Sequence, residues 1–317
     1  MKLLVTGAAG FIGYHLCKSL IQDGHEILGI DNINDYYDQK LKHDRLDILK
    51  SYNNFDFDKI DIVDRDLINK AFKNFEPQLV INLAAQPGVR YSINNPHVYM
   101  QSNLVGFLNI IELCRHQKID GLIYASSSSV YGSNKDVPYS INDRVDDPIS
   151  LYGATKRSNE LIARSYSHLY GLNTTGLRYF TVYGSWYRPD MAMYIFIKNI
   201  INGDSIAIYN KGKMKRDFTF IDDIIAGTRA AINKNYNCEI FNLGNNKSEN
   251  LLDMLNIIED QIGKKANISY EPLQPGDALN TFADIDHSKL KLGYDPQINI
   301  SEGIPILVKW YRDYYNV

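Results

Sequence analysis

No stretch of the 317 residues is apolar over a bilayer-spanning length, and a transmembrane helix needs about 20 such residues. A helical membrane anchor is therefore not expected. The N-terminus enters an apolar strand behind one lysine with no cleavable apolar region, so export by that route is not expected either. Cysteine is scarce. Cys17, Cys114 and Cys238 are odd in number and far apart, which suits free thiols in a reducing compartment such as the cytoplasm. The first two fall inside apolar helical patterns and are expected to be buried. An excess of one charge is lacking too: 34 basic residues face 37 acidic ones, for a net of −3. Without a basic block, nucleic acid is not an expected partner. The 7 histidines show no metal-ligand spacing, so no metal is expected. There is no internal repeat and no low-complexity segment. What remains is a chain longer than one usual core, expected to form two lobes or one large α/β domain with an appended subdomain.

The first half alternates strand and helix patterns. Lys2 to Thr6 is an apolar run of strand length, and Gly7-Ala-Ala-Gly10-Phe-Ile-Gly13 then opens a helical pattern through Ile12, Leu16 and Leu20. This layout binds a dinucleotide. A Cβ would hold the backbone off the pyrophosphate, which rests on the amides at the helix N-terminus. Gly7, Gly10, Phe11, Ile12 and Gly13 are the contacts expected there. The second strand, Glu26 to Ile30, ends in Asp31, close to the roughly 20-residue offset at which an acid holds the adenosine ribose. Asp31 could instead be an N-cap or turn residue, but the register points to the ribose. The ribose reading favours NAD over NADP, because a carboxylate repels a 2′-phosphate. Asn32 and Asn34 are its loop neighbours. After a third strand, Phe55 to Ile60, Asp61 and Ile62 are candidates for the adenine side, and Asp64 reads as the N-cap of the next helix. A fourth strand delivers Leu83, Ala84 and Ala85 to the carboxyl edge of the sheet, where small residues leave room for a cofactor. In the loop that follows, Arg90 either meets an anionic ligand or is solvated. Asn103, in a helix from about His97 to Gln117, is either a buried hydrogen-bonding spacer or exposed.

The fifth strand, Leu122 to Ala125, ends in Ser126-Ser-Ser-Ser129, and after a polar loop comes Tyr152-Gly-Ala-Thr-Lys156. Four positions apart on a helix, the phenol and the ammonium share a face. An adjacent ammonium would lower the phenol from its ordinary pKa of about 10 and make it a usable base. Ser127 would hold the other side of the hydroxyl. The competing reading is an amphipathic helix with Tyr152 in the core and Lys156 paired to Glu160.

Taken together, the alternation, the glycine turn, Asp31, the serine strand end and Tyr152/Lys156 resemble the extended short-chain dehydrogenase/reductase superfamily of nucleotide-sugar enzymes, over nearly the whole chain. The resemblance implies a Rossmann-type doubly wound parallel α/β sheet with a smaller C-terminal substrate-binding α/β lobe. Residues 1–180 and a return segment at about 218–245 would bind NAD, and 181–217 with 246–317 would bind the nucleotide sugar. Ser127, Tyr152 and Lys156 match the family's catalytic triad, with Lys156 also touching NAD. Relatives form homodimers through the helices near 98–117 and 151–170. The 4,6-dehydratases of the family carry an Asp-Glu pair, and its UDP-glucuronate decarboxylases a Glu, where this chain has Ser128 and Ser129. Without that acid, epimerisation is the reaction left. The two serines could hydrogen-bond the sugar or only cap the strand end.

Arg-Tyr-Phe-Thr181-Val-Tyr-Gly184, followed by Arg188-Pro-Asp-Met191, resembles the UDP-glucuronate 4-epimerases, as does the Arg90 loop. An arginine fork suits a carboxylate, although Arg188 could instead pair with Asp190. Ser185-Trp186-Tyr187 stands where that subfamily has Pro-Trp-Gly, so Tyr187 adds bulk beside the expected carboxylate site. Arg216 holds the family position that neutralises the nucleotide diphosphate. Lys211, Lys213 and Lys215 are expected to be solvated. Asp277 matches the residue that takes the UDP ribose, and Pro275-Gly-Asp277 as plain sequence is a turn. Asp222 is expected to cap a helix. In the mechanism these matches imply, Tyr152 as phenolate takes the 4-hydroxyl proton while C4 gives up hydride; the 4-keto sugar turns over and regains hydride on its other face. Three rivals stand beside it: a 4-epimerase of neutral or N-acetylated UDP-hexoses, a dehydratase or decarboxylase, and a non-enzymatic NAD-binding sensor.

Overall fold

The computed structural model describes residues 1–274, 276 and 278–317. In chain order the first half holds β1 (Lys2–Thr6), α1 (Phe11–Gln22), β2 (Glu26–Asp31), α2 (Gln39–Lys50), β3 (Phe55–Lys59), α3 (Arg65–Phe75) and β4 (Leu79–Asn82). Then come α4 (Val89–Asn94), α5 (Pro96–Tyr99), a π turn at Met100–Val105, α6 (Gly106–His116), β5 (Gly121–Ser127), α7 (Leu151–Tyr170) and β6 (Thr174–Tyr179). The second half holds β7 (Thr181–Tyr183), α8 (Ala192–Asn202), β8 (Ser205–Tyr209), β9 (Lys215–Arg216), β10 (Phe218–Phe220), α9 (Ile221–Lys234) and β11 (Cys238–Leu243). It ends with β12 (Glu249–Asn250), α10 (Leu251–Ile262), β13 (Asn267–Glu271), α11 (Asp286–Leu292) and α12 (Ile300–Tyr315).

Seven strands form one parallel sheet in the order β11-β6-β5-β4-β1-β2-β3. The apolar runs of β1, β4 and β5 are buried on both faces, as a parallel sheet between helices requires. Helices α1, α2 and α9 cover one face, and α3, α6 and α7 the other. The strand order reverses between β1 and β4, which opens a crevice at their carboxyl ends. Beyond β6 the chain builds a smaller lobe from two-stranded pairings, β7 with β10, β8 with β13 and β9 with β12, backed by α8, α10 and α12.

Buried Asp217 pins that lobe together. Its carboxylate accepts from the amides of Asn245 (2.6 Å), Asn246 (3.1 Å) and Ala283 (3.0 Å) and from the Thr219 hydroxyl (2.9 Å). Capping follows the sequence at α3, where the Asp64 side chain accepts from the amides of Asp66 and Leu67. It departs from it at α9. That helix begins at Ile221 with Phe220 in the cap position, so Asp222 lies in the first turn. Its neighbour Asp223 accepts from the amides of Gln297 and Ile298 instead. Cys17 and Cys114 are buried as expected, whereas Cys238, at the start of β11, is exposed.

Candidate active site

The crevice is a cavity of about 430 Å³ whose wall is built from the carboxyl ends of the central strands. At its first end lie Gly7, Gly10, Phe11, Ile12 and Gly13. A methyl group on Gly13 would stand 2.0 Å from the Gly7 carbonyl oxygen, so this turn closes only with glycine there. Gly10 caps α1 without a side chain, and the first turn of the helix carries no acidic residue. Its positive end is thereby kept for a ligand anion. This is the cradle a dinucleotide pyrophosphate needs, and the residues present fit NAD.

Beside the cradle the cavity is lined by Asp31, Asn32, Asp61 and Ile62, and deeper in by Leu83, Ala84 and Ala85. Both readings of Asp31 survive. Its carboxylate orders the turn by accepting from the amides of Ile33 (2.9 Å) and Ala9 (3.2 Å), and it still borders the cavity. Burial pushes this carboxyl above its ordinary range. Asn32 donates to Asp61 at 2.9 Å, which joins the ends of β2 and β3.

At the centre, Ser127, Ser128, Ser129, Tyr152 and Lys156 share the wall. Ser150 caps α7 by accepting from the Gly153 amide at 3.0 Å. Gly153 lets that first turn approach the serine strand end: a Cβ there would lie 2.5 Å from the Ser129 carbonyl oxygen. The Lys156 ammonium does not pair with Glu160. It donates to the Ala125 carbonyl at 2.9 Å, while Glu160 is claimed by Arg178 through two bonds of 2.8 and 2.9 Å and by the Ser126 hydroxyl at 2.6 Å. Burial lowers Lys156 from 10.5 to about 8, so it stays largely protonated at neutral pH.

The acidified phenol expected from the sequence is not a property of the protein alone. Burial raises Tyr152 above its ordinary value, opposed by a hydrogen bond with Ser127 and by the charge of Arg188. Asn103 is the buried spacer of the two readings. The π turn rotates it inward, where its side chain bonds the main chain of Gln86 (2.8 and 3.1 Å) and the Thr155 hydroxyl (3.0 Å), and so ties the loop after β4 to α7.

Thr181 and Arg188 border the far end of the cavity. Arg188 turns its Nε and Nη2 to Asp190 at 3.0 and 2.6 Å, and the Tyr36 hydroxyl donates to the same carboxylate at 3.1 Å. Tyr187 is 1% exposed and set edge-on to Phe11, and it lines the cavity together with Arg188. Arg90 and Arg216 do not line the cavity. The Arg90 guanidinium stacks 4.2 Å over the Tyr209 ring, and Arg216 bonds the carbonyls of Lys215 (2.9 Å) and Leu279 (3.5 Å). Asp277 lies outside the described residues.

Sequence reasoning missed Tyr36, Tyr37, Lys42 and Met191, all on the cavity wall. Lys42 donates to the main-chain and side-chain oxygens of Asn34, both at 2.7 Å. Fully buried Arg45 bonds the Ala9 carbonyl and the Tyr37 hydroxyl, both at 2.9 Å, and the Trp186 carbonyl at 2.5 Å. The available signal was the basic residues at 42 and 45 in a helix that otherwise needs an apolar face.

Residues 3–244 match the family described as NAD dependent epimerase/dehydratase. The chain belongs to that family. Among curated members, Protein CapI of Staphylococcus aureus is 48% identical and spans 99% of both chains. UDP-glucuronate 4-epimerase 4 of Arabidopsis thaliana is 43% identical over 100% of this chain and 76% of that protein. Among solved structures, the UDP-glucuronic acid 4-epimerase of Bacillus cereus, in complex with UDP-glucuronic acid and NAD, is 35% identical, with a TM-score of 0.94 over 99% of this chain and 100% of that one. Like its family, the chain is an NAD-dependent epimerase.

Proposed function

We propose that this epimerase interconverts UDP-glucuronate and UDP-galacturonate through a 4-keto sugar. One observation carries the reading: a single cavity runs from the glycine turn and Asp31, past Ser127, Tyr152 and Lys156, to the Arg188 cation, which a uronate carboxylate can meet. When bound, NAD supplies the hydride acceptor for C4 and, in its oxidised form, positive charge beside the phenol. Tyr152 holds and moves the proton of the 4-hydroxyl, and Ser127 orients that hydroxyl. Lys156 adds an ammonium held in place by Ala125. Ser128, Ser129 and Thr181 offer hydroxyls to the sugar, and Arg188 holds its carboxylate away from the geometry in which the C5–C6 bond breaks. Arg216 and Asp277 are assigned to the diphosphate and the UDP ribose, and Arg90 to the outer edge of the same ligand. Residues 1–180 with 218–245 then serve the dinucleotide, and 181–217 with 246–317 the nucleotide sugar.

A second reading, 4-epimerisation of neutral UDP-hexoses, draws on the Arg188 fork already meeting Asp190. Incubation of the purified chain with UDP-glucuronate, UDP-glucose and UDP-N-acetylglucosamine separately, resolving each from its C4 isomer, decides between the two. Conversion of UDP-glucuronate alone is expected; conversion of a neutral sugar without it would put the second reading first. Tyr152→Phe should retain NAD and lose about 10²–10⁴-fold in turnover, and full retained activity would remove Tyr152 from the role of base.

Leu161, Leu169 and Tyr170 on α7 and Val98, Val105 and Leu108 along the rod from α5 to α6 are exposed apolar residues on neighbouring helices. They support a homodimer through these helices. Two buried thiols and the absence, among the described residues, of any helix long and apolar enough to cross a membrane are compatible with a cytoplasmic site of action.

A further inference from the structure

Arg188 meets a carboxylate before any substrate arrives. Asp190 occupies the side-on edge of the guanidinium through Nε (3.0 Å) and Nη2 (2.6 Å), and Nη2 also reaches the Met191 sulfur at 3.6 Å, which leaves Nη1 for a second anion. Among the described residues no other carboxylate pairs with Arg188. The arrangement is built rather than casual. The Tyr36 hydroxyl, from the loop after β2, reaches Asp190 at 3.1 Å, and the Tyr36 ring is held edge-on to Tyr91 with centroids 4.8 Å apart. Both charged side chains are 21% exposed, so solvent screens their pairing only in part. The arginine therefore offers a substrate carboxylate its Nη1 donors in a fixed plane but little net positive charge.

This matters for an epimerase in particular. Hydride must leave one face of C4 and return to the other, so the 4-keto ring has to turn over inside the cavity with its carboxylate attached. A bare, partly desolvated guanidinium would hold that carboxylate tightly in one orientation and add to the barrier for turning. Binding energy that favours the starting complex more than the turning sugar lowers KM and kcat together. We propose that Asp190 is a positioning and specificity-determining residue that pre-neutralises Arg188, with Tyr36 fixing it there, so that the sugar carboxylate is oriented without being locked. The inference rests on the reading of Arg188 as the carboxylate anchor.

Asp190→Asn keeps the side-chain size and one acceptor while removing the charge. The variant should fold and retain NAD, with a lower thermal midpoint because the largely buried Arg188 loses its anion. Its KM for UDP-glucuronate should fall about 3- to 10-fold and its kcat by a similar factor, leaving kcat/KM nearly unchanged. A merely structural role would instead raise KM or lower kcat/KM. Tyr36→Phe removes the other contact of Asp190 without touching Arg188 and should move both constants in the same directions by less; it carries the test if Asp190→Asn does not fold. Unchanged constants, or a raised KM, in the folded variants overturn the inference alone. Failure of the wild-type chain to convert UDP-glucuronate overturns this inference together with the proposed function.

Discussion

Lys156 is the residue whose environment costs the fold most visibly. Burial lowers its pKa from 10.5 to about 8. A depressed ammonium means that the unfolded chain binds the proton more strongly between those values, so this group's contribution to stability rises with pH there. At neutral pH the cost is about 3 kcal/mol. Lys156→Met removes the titration. The difference in urea midpoint between wild type and variant should therefore shift toward the wild type as pH rises from 8 to 10, and a flat difference would show that the lysine is not desolvated in solution. The same residue illustrates how a site can accept a stability penalty for a charge it needs. Its ammonium shares the cavity wall with a phenol that burial pushes the other way, and added positive charge would bring that phenol down toward the range of acid–base work.

At the scale of elements, the glycine turn and α1 act as one unit. Gly13→Ala would force a methyl within 2.0 Å of the Gly7 oxygen and open the turn. The expected outcome is a loss of about 3 kcal/mol in stability and at least a roughly tenfold drop in NAD retained on purification, measured by releasing and quantifying the nucleotide. Normal retention would remove the turn from the cofactor site. Elements of this kind were legible because their demands are local: a turn that admits only glycine, a strand buried on both faces, a capping Asp64. Arg45, Lys42 and Tyr36 were not. Arg45 and Tyr36 work on elements far away in sequence, as when Arg45 on α2 bonds the carbonyl of Trp186, and Lys42 reaches across to the loop after β2 at Asn34; a helix pattern carries no record of such partners. The phenol failed for a related reason. Spacing on α7 put Tyr152 and Lys156 on one face, but burial set the acidity, and the depth of the cavity comes from strands that the spacing does not describe. The competing reading paired Glu160 with Lys156 because it is four residues on, whereas its partner Arg178 comes from β6.

For the whole molecule, the strand–helix alternation was readable through β5, but the order of strands in the sheet was not. The return segment expected at about 218–245 holds β11, which rejoins the sheet edge beside β6 after a long connection through the second lobe. Exposed Leu161 on α7 and Leu108 on α6 lie on the helices proposed for the dimer. In solution the chain should run at twice its own mass by light scattering, and Leu161→Glu combined with Leu108→Glu should bring it to the monomer mass without loss of fold. A wild-type monomer would leave those side chains as ordinary surface.

The buried guanidinium of Arg45 reaches three places at once: the glycine turn, Tyr37 and the loop that leads to Arg188. It acts as a rivet through the corner of the groove. Neither wall there can drift outward without stranding a cation among apolar neighbours, so the width of the groove is settled before any ligand arrives.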